Sequence, residues 1–296
     1  MHKSPREKLS VLVSVALEAG SCNTMEWAAR LPIGTIRTES RYAWVERFLS
    51  ASSLDEASVM EPLAEQILLF ASASGQTVVL NLDQTSVEDR LAIAMVSVRT
   101  GNRGLPLFWK VEATAGNIPT SAYTGLLDEV AGLLPEGTQV LLMADRFFDA
   151  SALIAYCRRH GWGWRIRLKS HLNATHEGGE IRLSEMPKAK LAALNDARLS
   201  GGALTHIGYL HEAGHEEPWV IAMNATPTRT TILDYGLRWG IEAMFSDFKT
   251  RGFGLEDTHI QRPERLSRML LVLAVAMHWA VVTGFHLQKK RRPREA

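Results

Sequence analysis

The stretch Thr77-Val78-Val79-Leu80-Asn81-Leu82-Asp83 is an apolar run that stops on a carboxylate. Runs of this length, rich in β-branched residues, read as buried strands. Two more follow, Leu91 to Arg99 and Leu105 to Glu112, with Gly101-Asn102-Arg103-Gly104 as a hairpin connection between them. Downstream the period changes to that of helices: Tyr123 to Leu134 is amphipathic, Val140 to Asp145 is again an apolar strand, Ala150 to His160 a helix, and Gly163 to Lys169 a strand. Three strands in a meander, then helix, strand, helix, strand, predict a mixed α/β sheet with helices outside.

Asp83 interrupts one apolar strand and Asp145 terminates another. A buried carboxylate without a partner suffers desolvation, so something must compensate it. In open α/β sheets the ends of strands face the ligand crevice. Acids at the ends of neighbouring strands would repel one another unless a divalent cation sat between them. Oxygen donors with no His or Cys nearby select magnesium or manganese. A purely structural alternative stays open at this point, with Asp83 capping a turn through Thr85 or Ser86 and Asp145 paired with Arg146.

Thr231 to Thr250 reads as one long amphipathic helix. Within it Tyr235, Arg238, Glu242 and Lys249 share one face, and Leu237, Ile241, Phe245 and Phe248 fill another. An acid beside Tyr, Arg and Lys suits a phosphodiester site, where the acid completes a metal shell and the cations grip phosphates. As bare helix, an i,i+4 Arg–Glu pair contributes only tenths of a kcal/mol.

The order Asp83, Asp145, then Tyr235-x-x-Arg238-x-x-x-Glu242 with Lys249 seven residues on, resembles bacterial insertion-sequence DDE transposases of the cut-and-paste group that carries the Tyr-Arg-Glu-Lys motif. The resemblance spans about residues 76 to 285 and includes Trp239 directly after Arg238. It implies a ribonuclease-H-like sheet with flanking helices, interrupted by a β-rich insertion and preceded by a small helical domain. It implies that Asp83, Asp145 and Glu242 hold two Mg²⁺ ions, which Mn²⁺ can replace, for attack on DNA phosphodiesters. Tyr235, Arg238 and Lys249 would then hold phosphates at the transposon end. Relatives form a hairpin intermediate and flip an end base onto tryptophans, the places held here by Trp219 and Trp239. They act as homodimers on double-stranded DNA, which implies a cytoplasmic protein associated with the nucleoid.

The rest of the chain is read around that core. Residues 1–74 form a helical N-terminal region, 75–172 the first part of the catalytic core, 173–230 the β-rich insertion, 231–260 the second part, and 261–296 a C-terminal helix with a basic tail at Lys289 to Arg294. Met25 to Arg30 and Ile36 to Leu49 suggest helix, turn, helix, the second carrying Arg37, Arg41 and Arg47 beside Tyr42, Trp44 and Phe48. Basic residues interleaved with aromatics suit a DNA contact, and equally a solvated face over a packed stripe.

Composition is that of a soluble enzyme-sized protein: 296 residues, 46% apolar, 22% charged, net charge +1. Cys22 and Cys157 are the two cysteines, which excludes a disulfide scaffold and a cysteine-built metal site. The N-terminal apolar stretch is diluted by Ser10 and Ser14 and ended by Glu18, so it reads as an amphipathic helix rather than an export signal. Met269 to Val282 is too short to span a membrane and reads as a buried helix.

Two rival functions have some support in the residues. His211-Glu212-x-x-His215 matches the zinc-peptidase pattern, but the preceding residues alternate as a strand and Pro218 limits any helix. A polar hairpin tip is the better reading. A DNA-binding relative that has lost catalysis is the third class, disfavoured because all three acids are present.

Overall fold

The computed structural model describes residues 4–34, 37–186, 190–212 and 217–291. Four helices come first. In α1 (Pro5–Ala19) Ser4 and Glu7 form a reciprocal capping box, and Gly20 ends the helix in the left-handed conformation. α2 (Thr24–Arg30) is capped by Asn23, and α3 (Thr38–Leu49) follows after a short connection, as the helix, turn, helix reading expects. α4 (Glu56–Ala71) is capped by Asp55.

The sheet then begins with the antiparallel meander β1 (Val78–Val87), β2 (Leu91–Thr100) and β3 (Arg103–Glu112). Glu88 and Asp89 both take positive φ in the tight turn that joins β1 to β2. After α5 (Thr120–Leu133), β4 (Val140–Ala144) pairs with β1 in parallel. After α6 (Ala150–His160), β5 (Gly163–Arg167) pairs with β4 in parallel. The order β3-β2-β1-β4-β5 gives the mixed, ribonuclease-H-like sheet that the resemblance implies. Eight consecutive residues of β2 are buried, which requires cover on both faces, and α4, α5 and α8 (Trp239–Phe248) all contact it.

The segment 173–230 is β-rich as expected, but it extends the main sheet instead of folding apart. Its strands β6 (Asn173–His176), β7 (Gly179–Arg182), β8 (Leu191–Leu199), β9 (Leu204–Leu210) and β10 (Trp219–Met223) continue the sheet beyond β5 in the order β10-β9-β8-β6-β7. The hydrogen bonds left free on the outer edge of β5 explain why, since β10 pairs there antiparallel.

The single helix expected over Thr231–Thr250 is broken into three. α7 (Arg229–Leu233) passes into a 3₁₀ turn, Asp234–Arg238, and only then into α8. Arg165 explains the tight turn. Buried on β5, its guanidinium donates to the carbonyl of Thr231 at 2.9 Å and pairs with Asp234 at 3.4 Å, which pulls this segment onto the sheet.

α9 (Pro263–Arg291) contains the apolar stretch Met269 to Val282 and extends beyond it at both ends. Its Pro263–Gly284 stretch is apolar enough to cross a membrane, yet Met269 to Ala274 are fully buried against the rest of the fold. It is a core helix. It touches β3, α1, α3 and α4, so the N-terminal helices share one continuous apolar core with the sheet. His278 is buried on α9 against the carbonyl of Pro106 at 2.6 Å, and burial holds its pKa below the ordinary value.

Candidate active site

Leu82 of β1 and Ala144 of β4 are register partners in a parallel pair. The next residue in each case is an aspartate, so Asp83, within β1, comes level with Asp145, the residue after β4, at the point where the parallel pairing of the two strands ends. Asp83 is buried. One carboxylate oxygen accepts from the backbone N–H of Gln84 at 2.9 Å, and the other from Arg238 at 2.6 Å. Asp145 accepts from the backbone N–H of Arg146 at 2.7 Å and from the Tyr235 hydroxyl at 3.4 Å. The purely structural alternative does not hold among the described residues. Asp83 bonds Gln84 and Arg238 rather than Thr85 or Ser86, and the Arg146 guanidinium goes to Glu217 at 2.8 Å.

The 3₁₀ turn sets the third side of the site. In that helix type residues i and i+3 eclipse. Arg238 accordingly lies over the Tyr235 ring, 5.5 Å from its centroid, and both are buried. From there one guanidinium nitrogen reaches Asp83 and another reaches Glu242, one turn on in α8. Glu242 is half exposed. Lys249 does not join this group: it stands at the end of α8 and pairs with Glu256 at 3.1 Å.

Burial raises the Asp83 carboxyl above its ordinary range. Arg238 and the Gln84 N–H pull it back, Asp145 and Glu242 push it up again, and it settles at about 6. Burial also raises the Tyr235 hydroxyl, keeping it a protonated donor. For Arg238, burial works against the charge, but Tyr235, Asp83, Asp145 and Glu242 together hold it firmly protonated.

Trp219 of β10 meets Tyr235 edge-on at 5.4 Å and Trp239 edge-on at 5.8 Å. Trp239 is half exposed, and with Leu233, Gly236 and Trp219 it lines a cavity of about 220 Å³. The two tryptophans singled out in the sequence thus come together. The N-terminal arginines stand apart from them. Arg37, just before α3, and Arg47, on it, are exposed, whereas Arg41 donates to the carbonyls of Ala29, Ile33 and Gly34 at 2.8 to 3.2 Å and holds the turn before α3. Lys8 stacks over Trp44 at 5.2 Å, beside Arg47, a basic neighbour that the sequence pattern does not reveal.

Gly240, which no sequence signal marks as functional, lets α8 lie against β3. A side chain there would put its Cβ 3.0 Å from the Arg103 carbonyl carbon and 3.1 Å from the Gly104 nitrogen. The one hint is a small residue inside the motif, between Trp239 and Glu242.

Carboxylate oxygens are the kind of donor a hard divalent cation takes. Asp83 and Glu242 share the Arg238 guanidinium, while Asp145, which also feels that charge, forms no ion pair among the described residues. The three acids do not converge on one point, because Arg238 stands between Asp83 and Glu242. Among the described residues no three His, Cys, Asp or Glu side chains are close enough together to bind one ion. His211 and Glu212 directly follow strand β9, with Glu212 paired to Arg229, so they are not on the helix a zinc peptidase needs. Gly214 and His215 lie outside the described residues, as does the basic tail beyond the backbone of Arg291.

Residues 92–279 match the transposase DDE domain. The chain belongs to that family. The match begins on β2, so it includes Asp145 and Glu242 and leaves Asp83 just outside. No curated protein matches. Among solved structures, the Marinitoga piezophila Argonaute in complex with guide RNA and target DNA is 10% identical, with a TM-score of 0.25, over 82% of this chain and 37% of its own. The Kluyveromyces polysporus Argonaute with a guide RNA is 13% identical, with a TM-score of 0.30, over 84% of this chain and 33% of its own. The chain therefore spans about a third of either Argonaute. The catalytic domain of human Endonuclease V is 12% identical, with a TM-score of 0.30, over 82% of this chain and 98% of its own. The family assignment rests on the sequence match alone.

Proposed function

We propose that this transposase DDE domain is a cut-and-paste DNA transposase that binds the terminal inverted repeats of an insertion sequence, cleaves them and joins them to target DNA. The observation that supports the reading is the pair of aspartates level where the parallel pairing of β1 and β4 ends, with Asp83 joined to Glu242 through Arg238. Asp83, Asp145 and Glu242 would hold two Mg²⁺ ions, with Mn²⁺ as a substitute. Bound there, such ions supply Lewis-acid charge for attack of water, and then of a DNA 3′-hydroxyl, on a phosphodiester.

The chain's own residues position the DNA. Arg238, fixed over Tyr235, exchanges a carboxylate for a phosphate when the strand arrives, since both present paired oxygens to a guanidinium. Tyr235 donates its hydroxyl proton to Asp145 or to a nearby phosphate oxygen. Trp219 and Trp239 offer a stacking face for a base flipped from a hairpin end, which offsets the few kcal/mol of unstacking. Lys249, Arg37 and Arg47 add sequence-independent phosphate contacts. Two copies would act together, one on each end, on the cell's nucleoid DNA.

The test is cleavage of a plasmid carrying the insertion-sequence ends, with Mg²⁺, by the full chain. Asp83→Asn, Asp145→Asn and Glu242→Gln should abolish strand breaks while end binding in a mobility-shift assay persists. Cleavage that survives Asp145→Asn would remove the assignment. Loss of binding in all three variants would contradict the division between metal ligands and DNA contacts.

A further inference from the structure

Immediately after Asp145 the chain turns into a second groove. Its volume is about 410 Å³, and it runs along the carboxyl ends of β4 and β5, where an open α/β sheet offers its crevice. Arg146, Phe147, Arg167, Lys169 and His171 line it. The one carboxylate in its wall, Asp149, is occupied in capping α6. Phe147 is half exposed, an expensive place for a phenyl ring unless something covers it.

Glu217 lines the neighbouring tryptophan cavity, and its carboxylate reaches back to both groove arginines, to Arg146 at 2.8 Å and Arg167 at 3.2 Å. That carboxylate is more than half exposed. It sits between the tryptophan cavity on one side and the basic groove on the other. Two guanidinium groups converging on one exposed anion are the geometry in which Arg holds a phosphate. Cations along a groove with an aromatic ring at its rim are the pattern that binds single strands, with charge tracking the backbone and the ring stacking a base.

Building on the transposase reading, we infer that this groove binds a single DNA strand leaving the catalytic acids, and that Glu217 occupies the position of one of its phosphates until the strand displaces it. Phe147 stacks a base, Arg146 and Arg167 take the phosphate nearest Asp145, and Lys169 takes the next. Glu217 then acts as an internal competitor that discourages binding of strands without the end sequence.

The test is fluorescence anisotropy of the full chain with a labelled oligothymidine and with a duplex of the insertion-sequence end, across a salt series. Phe147→Ala should weaken oligothymidine binding about 5- to 150-fold, the range expected for removal of one base stack, and Phe147→Trp should restore it. Lys169→Ala should lower the slope of log affinity against log salt by about 0.7, one single-strand phosphate contact. Glu217→Gln should tighten oligothymidine binding at least threefold. A carboxylate that merely braces the two arginines would give unchanged or weaker binding. Each variant is checked by thermal unfolding, and Phe147 and Glu217 are exposed enough to be replaced without disturbing the core. If the wild type binds the end duplex while all these variants bind oligothymidine as it does, the groove assignment fails and the transposase reading stands. If the wild type binds neither DNA, both fail.

Discussion

Arg238 joins Asp83 to Glu242, donating to Asp83 at 2.6 Å through one nitrogen and to Glu242 through another. The Arg238 and Asp83 side chains are almost wholly buried, so this is an ion pair removed from water. Deleting one partner of such a pair costs about 3–5 kcal/mol, because the other charge is left uncompensated. Arg238→Ala should therefore destabilise the metal-free protein by about that much in urea unfolding at pH 7.5. Mg²⁺ should stabilise this variant more than the wild type, since a cation then replaces the missing charge. Equal Mg²⁺ shifts in both proteins would show that the acids and the ion do not meet.

The raised pKa of Asp83 makes stability depend on pH in a definite direction. Its carboxyl titrates near 6 in the folded chain, against an ordinary 3.8. The folded state therefore holds the proton more tightly than the unfolded state. The stabilisation is complete below about pH 3.8 and is lost as the pH rises through about 6. With a chelator present, wild-type stability should fall between pH 5 and pH 7 relative to Asp83→Asn, which has no such proton to lose. Parallel profiles for the two proteins across that window would contradict the burial of a charged Asp83.

The sequence exposed the two aspartates because each breaks off an apolar run, Asp145 just past the end of its strand and Asp83 within a strand that continues to Val87. It exposed the pairing of Arg238 with Glu242 through their spacing of four. The break in the helix was hidden, since an offset of three between Tyr235 and Arg238 suits an α-helix and a 3₁₀ turn alike. What decides between them is Arg165, a residue of β5 lying 66 positions before Thr231 whose guanidinium takes that carbonyl. The bridge from Glu217 to Arg146 and Arg167 was hidden for the same reason, because it forms only once β10 pairs with β5. Strand rhythm in 173–230 predicted strands but not their partners, and the free edge of β5 turned an expected separate unit into an extension of the sheet.

Gly240 offers a test of how Glu242 is placed. A Cβ there would meet backbone atoms of Arg103 and Gly104 at 3.0 and 3.1 Å, and backbone cannot move aside as a side-chain tip can. Gly240→Ala should push α8 away from β3, at a cost of about 1–3 kcal/mol for overpacking. Glu242 lies two residues further along the same helix, so DNA cleavage should fall at least tenfold, while end binding through α3 should change little. Cleavage at the wild-type rate in a folded Gly240→Ala protein would mean that α8 can shift without consequence for the acids.

The three arginines of the N-terminal region should separate under mutation. Arg37, just before α3, and Arg47, on it, are exposed, and replacing either by Ala should leave thermal unfolding unchanged. Binding to the end duplex should weaken, and its salt slope should fall by about 0.9 for each phosphate no longer neutralised. Arg41 is committed to three backbone carbonyls of the α2–α3 connection. Arg41→Ala should destabilise the protein by about 1.5–3 kcal/mol, the scale of hydrogen bonds from a charged donor. Its effect on DNA binding would then come through the position of α3, without the change in salt slope that marks removal of a phosphate partner. An Arg41→Ala protein as stable as wild type, with a reduced salt slope, would move Arg41 from the scaffold to the DNA-binding face.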